Sequence, residues 1–400
     1  MAAEELRRHN LGAVLERLHL SGALSRSELT AMTGLNRSTI ADLLGELVDL
    51  GLVEERPSEA TSGPGRPSPV ARTRPEGAAV LAVELAVDSI AVATVGLGGH
   101  VFNRVRVARP RGRFSPGETT QDVAKLAGPL LDSLPPDRVL VGVGAAIVGI
   151  TRRSDGFVHL APNLGWRDVP LGAMLAAELD LDVPVLAANE ADLGALAEHR
   201  RVCPGISDLI YVSGEVGIGA GVIVDGKPLL GSAGYAGEAG HTMVDPNGRE
   251  CRCGAFGCWE TEAGETALLR HVGGDGSVDL DEVARRADAG DEVALGAVAE
   301  VGRWLGLGVG DLINLFNPEL VILGGLYHRL FRFLEPSVVE GARSRALGAP
   351  GGMARIVRSG LGIDAPLIGA AELVLSRVIA DPARSGTGAW PGEAHVAGGR

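Results

Sequence analysis

Three of the chain's four cysteines, Cys251, Cys253 and Cys258, fall within eight positions, and His241 precedes them by one loop. Three thiolates and one imidazole close a tetrahedron around Zn2+, so the metal they imply is structural and does no chemistry. Gly254 and Gly257 let the backbone fold the sulfurs inward. A disulfide with a spare thiol is the rival use of clustered cysteines. A C-x-C pair rarely closes on itself, and with no signal peptide in view the expected compartment is reducing. Glu238, His241 and Glu260 bracket the metal loop with groups able to hold a polyol. Cys203, alone after a helix-like run, reads as an ordinary buried thiol.

These groups need a large scaffold, and 400 residues with 46% apolar content allow two or three domains. No window reads as an uninterrupted membrane span, so the expectation is a cytoplasmic protein without a membrane partner. The net charge of −13 excludes a chain that coats nucleic acid all over. It leaves room for a small reading domain, because binding needs only local positive charge. With 58 glycines and few aromatics, tight βα turns and close backbone packing are expected.

Residues 1–75 supply such a reader. Residues 10–22 predict an amphipathic helix with Asn10 as cap, Gly22 as stop and Leu11, Val14, Leu15 and Leu18 on its apolar face. Ser25 opens a capping box for a short helix, Ser27–Thr33, and Gly34 makes the turn. Asn36 caps a third helix that turns Ile40, Leu43, Leu44 and Leu47 inward. Helix, short helix, glycine turn and helix form a helix-turn-helix pattern, which places Asn36, Arg37, Ser38 and Thr39 where phosphates and base edges can be reached. A strand at 51–57 and a wing running to Val70 follow. The wing carries Gly65-Arg66-Pro67, narrow enough to push Arg66 into a minor groove. Arg56, Arg72 and Arg74 add basic spots, although the segment also holds many acids. Without DNA, the same shape would serve as a protein-interaction module.

From residue 76 the texture becomes short apolar runs joined by glycine. Strands are expected at 78–87, 89–97, 100–107, 138–149 and 183–190, with helices at 116–134, 168–179 and 190–199. The second half repeats the scheme: a strand at 208–214, a hairpin at 217–227, the cysteine loop, helices at 279–288 and 291–315, a strand at 319–326 and a closing helix at 366–380. The expected layout is one α/β lobe over 76–200, another over 201–380, and a Gly/Pro/Ala-rich disordered tail at 381–400. Hinged two-lobe folds of this kind take small molecules between their lobes.

The run G-E-A-G-H followed by C-R-C-G-A-F-G-C-W-E resembles the E-x-G-H and C-x-C-G-x-x-G-C-x-E elements of the ROK family (repressor, open reading frame, kinase). The resemblance covers residues 8–380, and the N-terminal helices and G-R-P wing resemble its repressor branch. It implies a two-lobe actin-like (hexokinase-like, ribonuclease H-like) sugar-kinase fold behind a winged helix-turn-helix. It assigns His241, Cys251, Cys253 and Cys258 to zinc, and Asn189, Glu190, Glu238, His241 and Glu260 to the sugar site. His241 can serve both, with one ring nitrogen on the metal and the other on the sugar.

The alternative reading is an ATP-dependent sugar kinase with an attached DNA-binding domain. Family kinases carry D-x-G-G-T on the first strand pair, where this chain has Glu84-Leu85-Ala86-Val87-Asp88. They place an aspartate base in N-D-x-N, where this chain has Asn189-Glu190-Ala191-Asp192, one methylene longer at the base position. The second phosphate loop, Ser213–Gly219, puts Glu215 where a hydroxyl would suit a phosphate, while Gly324-Gly325 remains. No catalytic residue is therefore expected. The expectation is a non-enzymatic, sugar-responsive transcriptional regulator, a repressor of carbohydrate genes. It would hold a sugar or sugar phosphate and bind a palindromic operator as a homodimer or homotetramer, with lobe closure respacing the reading helices.

Overall fold

The computed structural model describes residues 2–57, 69–112, 114–232, 234–273 and 278–384. The chain opens with α1 (Ala2–Ser21), a short strand β1 (Leu24–Ser25), α2 (Arg26–Thr33) and α3 (Arg37–Asp49). Strands β2 (Val53–Arg56) and β3 (Val70–Thr73) pair antiparallel, with β1 on the other edge of β3. The two predicted apolar faces are fully buried, from Leu11 to Leu18 on α1 and from Ile40 to Leu47 on α3. Ser25 and Glu28 form the reciprocal capping box, and Gly34 closes α2 in the left-handed region. Helix α1 starts at Ala2 rather than at Asn10, which lies inside it. The preceding A-A-E-E-L-R-R run has high helix propensity, and its acids Glu4 and Glu5 suit the positive end of the helix dipole.

Strands β4 (Ala79–Leu85), β5 (Ser89–Gly96) and β6 (His100–Ala108) form the expected meander. Helix α4 (Pro116–Asp132) leads to β7 (Leu140–Ile147), which lies parallel to β4. Every residue of β4 is buried, as a strand covered on both faces requires. A small antiparallel sheet of β8 (Ile150–Arg152), β9 (Phe157–Ala161) and β10 (Trp166–Val169) goes beyond the sequence expectation. Pairing with β9 claims 166–169, so the helix expected from 168 starts later, as α5 (Leu171–Leu179) after Pro170. Strand β11 (Val185–Asn189) completes a five-stranded sheet of order β11-β7-β4-β5-β6.

Helix α6 (Glu190–Arg201) leads to β12 (Leu209–Gly214), β13 (Ile218–Val224) and β14 (Lys227–Pro228). After the cysteine loop come α7 (Trp259–Ala263), α8 (Glu265–Val272), α9 (Leu280–Asp288) and α10 (Glu292–Phe316). Then follow β15 (Leu320–Gly325), α11 (Leu326–Arg345), α12 (Gly348–Met353), β16 (Arg355–Arg358) and α13 (Ala365–Ala380). This second sheet runs β14-β13-β12-β15-β16, with β12, β15 and β16 parallel. Helix α11 was not among the expected elements; Leu326, Leu330, Leu334 and Val338 keep a four-residue spacing on either side of Pro336 and are buried. Helices α10 and α11 approach closely through glycine: a β-carbon on Gly306 would collide with the Val338 carbonyl.

One expectation on hydropathy needs amending. An 18-residue window of the 25-residue α10 reaches a mean hydropathy of 1.3, long and apolar enough to span a membrane by composition. In the fold, Val298, Val301, Leu305 and Val309 are core residues beside Trp259 and Tyr327.

The described residues of Met1–Ala188 and Ala370–Arg400 form one compact unit, and Asn189–Gly369 form another. Within the first unit, α1 is fastened to the chain's last long helix. His19 and Glu372 have fully buried side chains, and His19 Nε2 lies 3.0 Å from Glu372 Oε2. His19 Nδ1 accepts from the Gly98 amide at 2.9 Å, so Nε2 carries the proton and donates to the carboxylate. Gly12 lets α1 approach α13, since a β-carbon there would sit 2.6 Å from the Ile379 carbonyl. Of the expected tail, Pro382–Arg384 form a 3-10 turn and residues from 385 onward lie outside those described.

Candidate functional site

The cysteine loop is shaped by its backbone. Cys251 N–H donates to Ala255 O at 2.7 Å, and Gly257 N–H donates to Arg249 O at 2.8 Å. Gly254 and Gly257 both adopt positive φ, and a β-carbon on Gly257 would collide with the Asp245 carbonyl. The loop's exit is pinned by Trp259, buried to 1% exposure, whose Nε1 donates to Trp304 O at 3.0 Å. Gly308 of α10 makes the slot for its indole. Losing so large a core side chain costs about 3–5 kcal/mol, so the loop is firmly anchored at this end.

The four expected ligands converge. His241 Nδ1 and the Sγ atoms of Cys251, Cys253 and Cys258 all lie within 4.8 Å of one another. Cys253 Sγ is 3.7 Å from Cys258 Sγ, and Cys251 Sγ is 3.7 Å from His241 Nδ1. Zn–S bonds of about 2.3 Å and Zn–N bonds of about 2.0 Å imply tetrahedral edges of roughly 3.5–3.8 Å. Donor types and spacing therefore fit a zinc ion. Cys251 and Cys258 are buried and Cys253 is exposed. Burial raises the Cys251 and Cys258 thiols, while the Ala255 amide lowers Cys253.

Of the polar groups expected to hold a sugar, Glu260, His241 and Glu238 belong to this loop and its flanks. Glu260, on α7, accepts from the Cys251 thiol at 2.9 Å, and its Oε1 lies 3.7 Å from His241 Nδ1. Glu238 opens the 3-10 turn that carries His241, and Gly240 packs that turn against the Ile218 carbonyl. Partial desolvation, then Glu260, raise the Glu238 carboxyl, opposed by His241. Asn189 caps α6, its Oδ1 accepting from Ala191 N–H at 2.8 Å. Glu190 follows it, with Oε2 buried and without a hydrogen-bond partner. Burial pushes the Glu190 carboxyl well above the usual carboxylate range, and Glu215, Glu238 and Asp192 push the same way.

Residues 80–377 match the ROK family model. A xylose repressor from Caldicellulosiruptor bescii is 32% identical over 340 residues, covering 80% of this chain and 83% of that protein. The chain belongs to the ROK family. A ROK family transcriptional regulator, described as a homologue of the E. coli MLC protein, shares its fold with a TM-score of 0.79 at 24% identity, over 95% of this chain and 99% of that one. A ROK glucokinase from Streptomyces griseus, solved with glucose and AMPPNP, gives a TM-score of 0.66 at 27% identity. It covers 98% of its own length but 74% of this chain. The fold is the two-lobe actin-like (hexokinase-like) fold of ROK proteins. The shared ROK body begins at β4, and the regulator's fold extends the likeness over nearly the whole chain.

Ahead of the ROK body, Asn36 Oδ1 caps α3 by accepting from Thr39 N–H at 2.9 Å and from Ser38 Oγ at 2.7 Å. Asn36, Arg37 and Ser38 are exposed at this helix end and Thr39 is half-buried. Of the basic spots, Arg56 and Arg72 both pair with Glu54, and Arg74 pairs with Asp137. Arg66 lies outside the described residues.

At the stretch matching the kinases' first phosphate loop, Glu84 is buried and paired to Arg106 at 2.8 Å. Leu85, Ala86 and Val87 line a small, mostly apolar recess with Ile90, Phe114 and Trp166, and Arg109 and Thr119 also reach it. Trp166 is core, its Nε1 donating to Phe114 O at 2.8 Å. The pair Gly324-Gly325 has packing reasons of its own: Gly324 makes room for the Tyr211 ring, and Gly325, at φ 55, passes against the Gly214 carbonyl.

Proposed function

We propose that this ROK protein is a sugar-responsive, DNA-binding transcriptional regulator, a repressor of carbohydrate genes that lacks phosphoryl-transfer activity. The observation that carries the reading is the helix–strand–helix–helix–strand–strand segment ahead of the ROK body, whose third helix offers Asn36, Arg37 and Ser38 at an exposed, capped N-terminus. We read this segment as a winged helix-turn-helix that docks α3 in a major groove, with Arg66 on its wing. Two copies on a palindromic operator give the affinity a single reader lacks.

The sugar would be held by Asn189, Glu190, Glu238, His241 and Glu260. Zinc on His241, Cys251, Cys253 and Cys258 would fix the loop that carries two of these groups, and its binding would release the thiol protons. Sugar affinity must differ between operator-competent and operator-incompetent states for switching to occur. The loss of kinase activity is supported by Glu84 being committed to Arg106 and by the apolar hairpin that follows it.

The test is selection of bound duplexes from random DNA, followed by operator-release and thermal-shift assays across a sugar panel with and without ATP and Mg2+. The relative from C. bescii puts D-xylose first in the panel. An enriched palindrome released by one sugar without ADP formation is the expected result. ADP production would make Glu190 a catalytic base and reverse the assignment, and failure to enrich any DNA would remove it.

A further inference from the structure

We infer that the sugar site admits an uncharged sugar and rejects its phosphate esters, with Glu215 as the specificity-determining residue. This rests on the sugar-site reading above. The unit Asn189–Gly369 brings together carboxyl groups from four places: Glu190 and Asp192 on α6, Glu215 in the turn between β12 and β13, Glu238 before the 3-10 turn, and Glu260 on α7. The charged groups that act most on Glu190 are all acids: Glu215, Glu238 and Asp192. Asp192 is only 8% exposed, so solvent screens its charge poorly.

The backbone is cleared where these groups converge. A β-carbon on Gly219 would sit 3.0 Å from Glu190 Oε1, and one on Gly217 would collide with Glu260 Oε2. Two glycines thus form a bare floor beneath two carboxyl groups. Above it, Glu190 Oε2 is buried with no hydrogen-bond partner, a state that natural folds rarely leave uncompensated. A sugar hydroxyl answers this need, because it both donates and accepts. A phosphate ester brings a charge of about −1.5 to −2 at neutral pH into a field of carboxylates. Glu215 contributes to that field from a turn whose glycines would otherwise let an anion approach.

The experiment is calorimetric titration of the full chain with matched pairs: D-xylose and its 5-phosphate, D-glucose and its 6-phosphate, N-acetyl-D-glucosamine and its 6-phosphate. The expected result is one neutral sugar bound at least about 100-fold more tightly than its ester, with the ratio falling at least tenfold in Glu215→Gln. Glu215→Ser, read by the same ratio, serves if the first variant melts early. Equal or tighter binding of the ester, or an unchanged ratio in both variants, overturns the inference and leaves the sugar-sensor reading standing. Silence with every sugar and ester overturns both. Binding of Mg2+ or Ca2+ alone at this cluster would reassign the carboxylates to a cation and overturn the inference.

Discussion

The buried pair His19–Glu372 is expected to hold α1 to the unit it packs on, and its worth can be worked from the contacts. Both side chains are fully buried, and the imidazole is also held by Gly98. In His19→Leu, the buried Glu372 carboxylate loses the imidazole N–H that donates to it, and stranding a buried charge in this way costs about 3–5 kcal/mol. Glu372→Leu leaves a neutral imidazole N–H without its acceptor, at a cost of about 1–3 kcal/mol. The double variant removes the charge and its partner together and leaves the Gly98 N–H stranded, at about 1–3 kcal/mol. The singles should therefore sum to roughly 4–8 kcal/mol, while the double stays near 1–3, a coupling of at least about 1 kcal/mol.

Because the chain has two units, a single urea midpoint is a poor readout. Hydrogen exchange of α1 and α13 peptides in the native state reports the local opening directly. A loss of about 3 kcal/mol appears as roughly 100-fold faster exchange in His19→Leu. Operator affinity should fall with it, while exchange in α10, in the other unit, stays as in the parent. Single-variant costs below about 0.5 kcal/mol, or strictly additive ones, would refute the reasoning.

Three further outcomes are expected. Purified chain should carry one zinc per copy by atomic absorption, and Cys253→Ser should lose both metal and sugar-induced stabilisation; an intact sugar response in a metal-free variant would detach zinc from sensing. Glu190 has a raised pKa, so its stability contribution is fully present below the unfolded carboxylate pKa of about 4.3 and is lost as pH rises through the folded value. Glu190→Gln should therefore gain stability over the parent progressively as pH rises above the unfolded carboxylate range, and a thermal-melt difference that stays flat with pH would contradict this. Arg37→Ala should weaken operator binding across sequences and lower the salt slope by about one, and an unchanged slope in a titration from low to moderate salt would take Arg37 off the phosphate backbone.

What was legible in the sequence was local. The metal loop announces itself because its three thiolates lie within eight residues, and the capped helices ahead of β4 because Ser25, Gly34 and Asn36 carry short-range geometry. What escaped depends on distant partners. Strand β10 is a strand only because β9 lies beside it, and the same residues otherwise read as the start of a helix. His19 and Glu372 are 353 positions apart, each a polar residue on the buried side of its helix, and only the fold explains both. Glu190 was legible as a motif position, but its missing partner was not, since that depends on Gly219, Glu215 and Glu238 arriving from other elements.

The two halves of the inherited kinase signature now differ in physical character. On the first strand pair the atypical residues have structural tasks: Glu84 is neutralised by Arg106 and Leu85 and Val87 are buried, while the retained Gly324 clears space for Tyr211. On the sugar side a buried carboxyl oxygen goes unpaired among other acids, over a glycine floor. That arrangement is a standing cost of about 1–3 kcal/mol for the unmade hydrogen bond. Folds tend to carry such costs at functional sites. This asymmetry supports the proposed reading, in which the first strand pair serves packing and the acidic cluster serves a sugar.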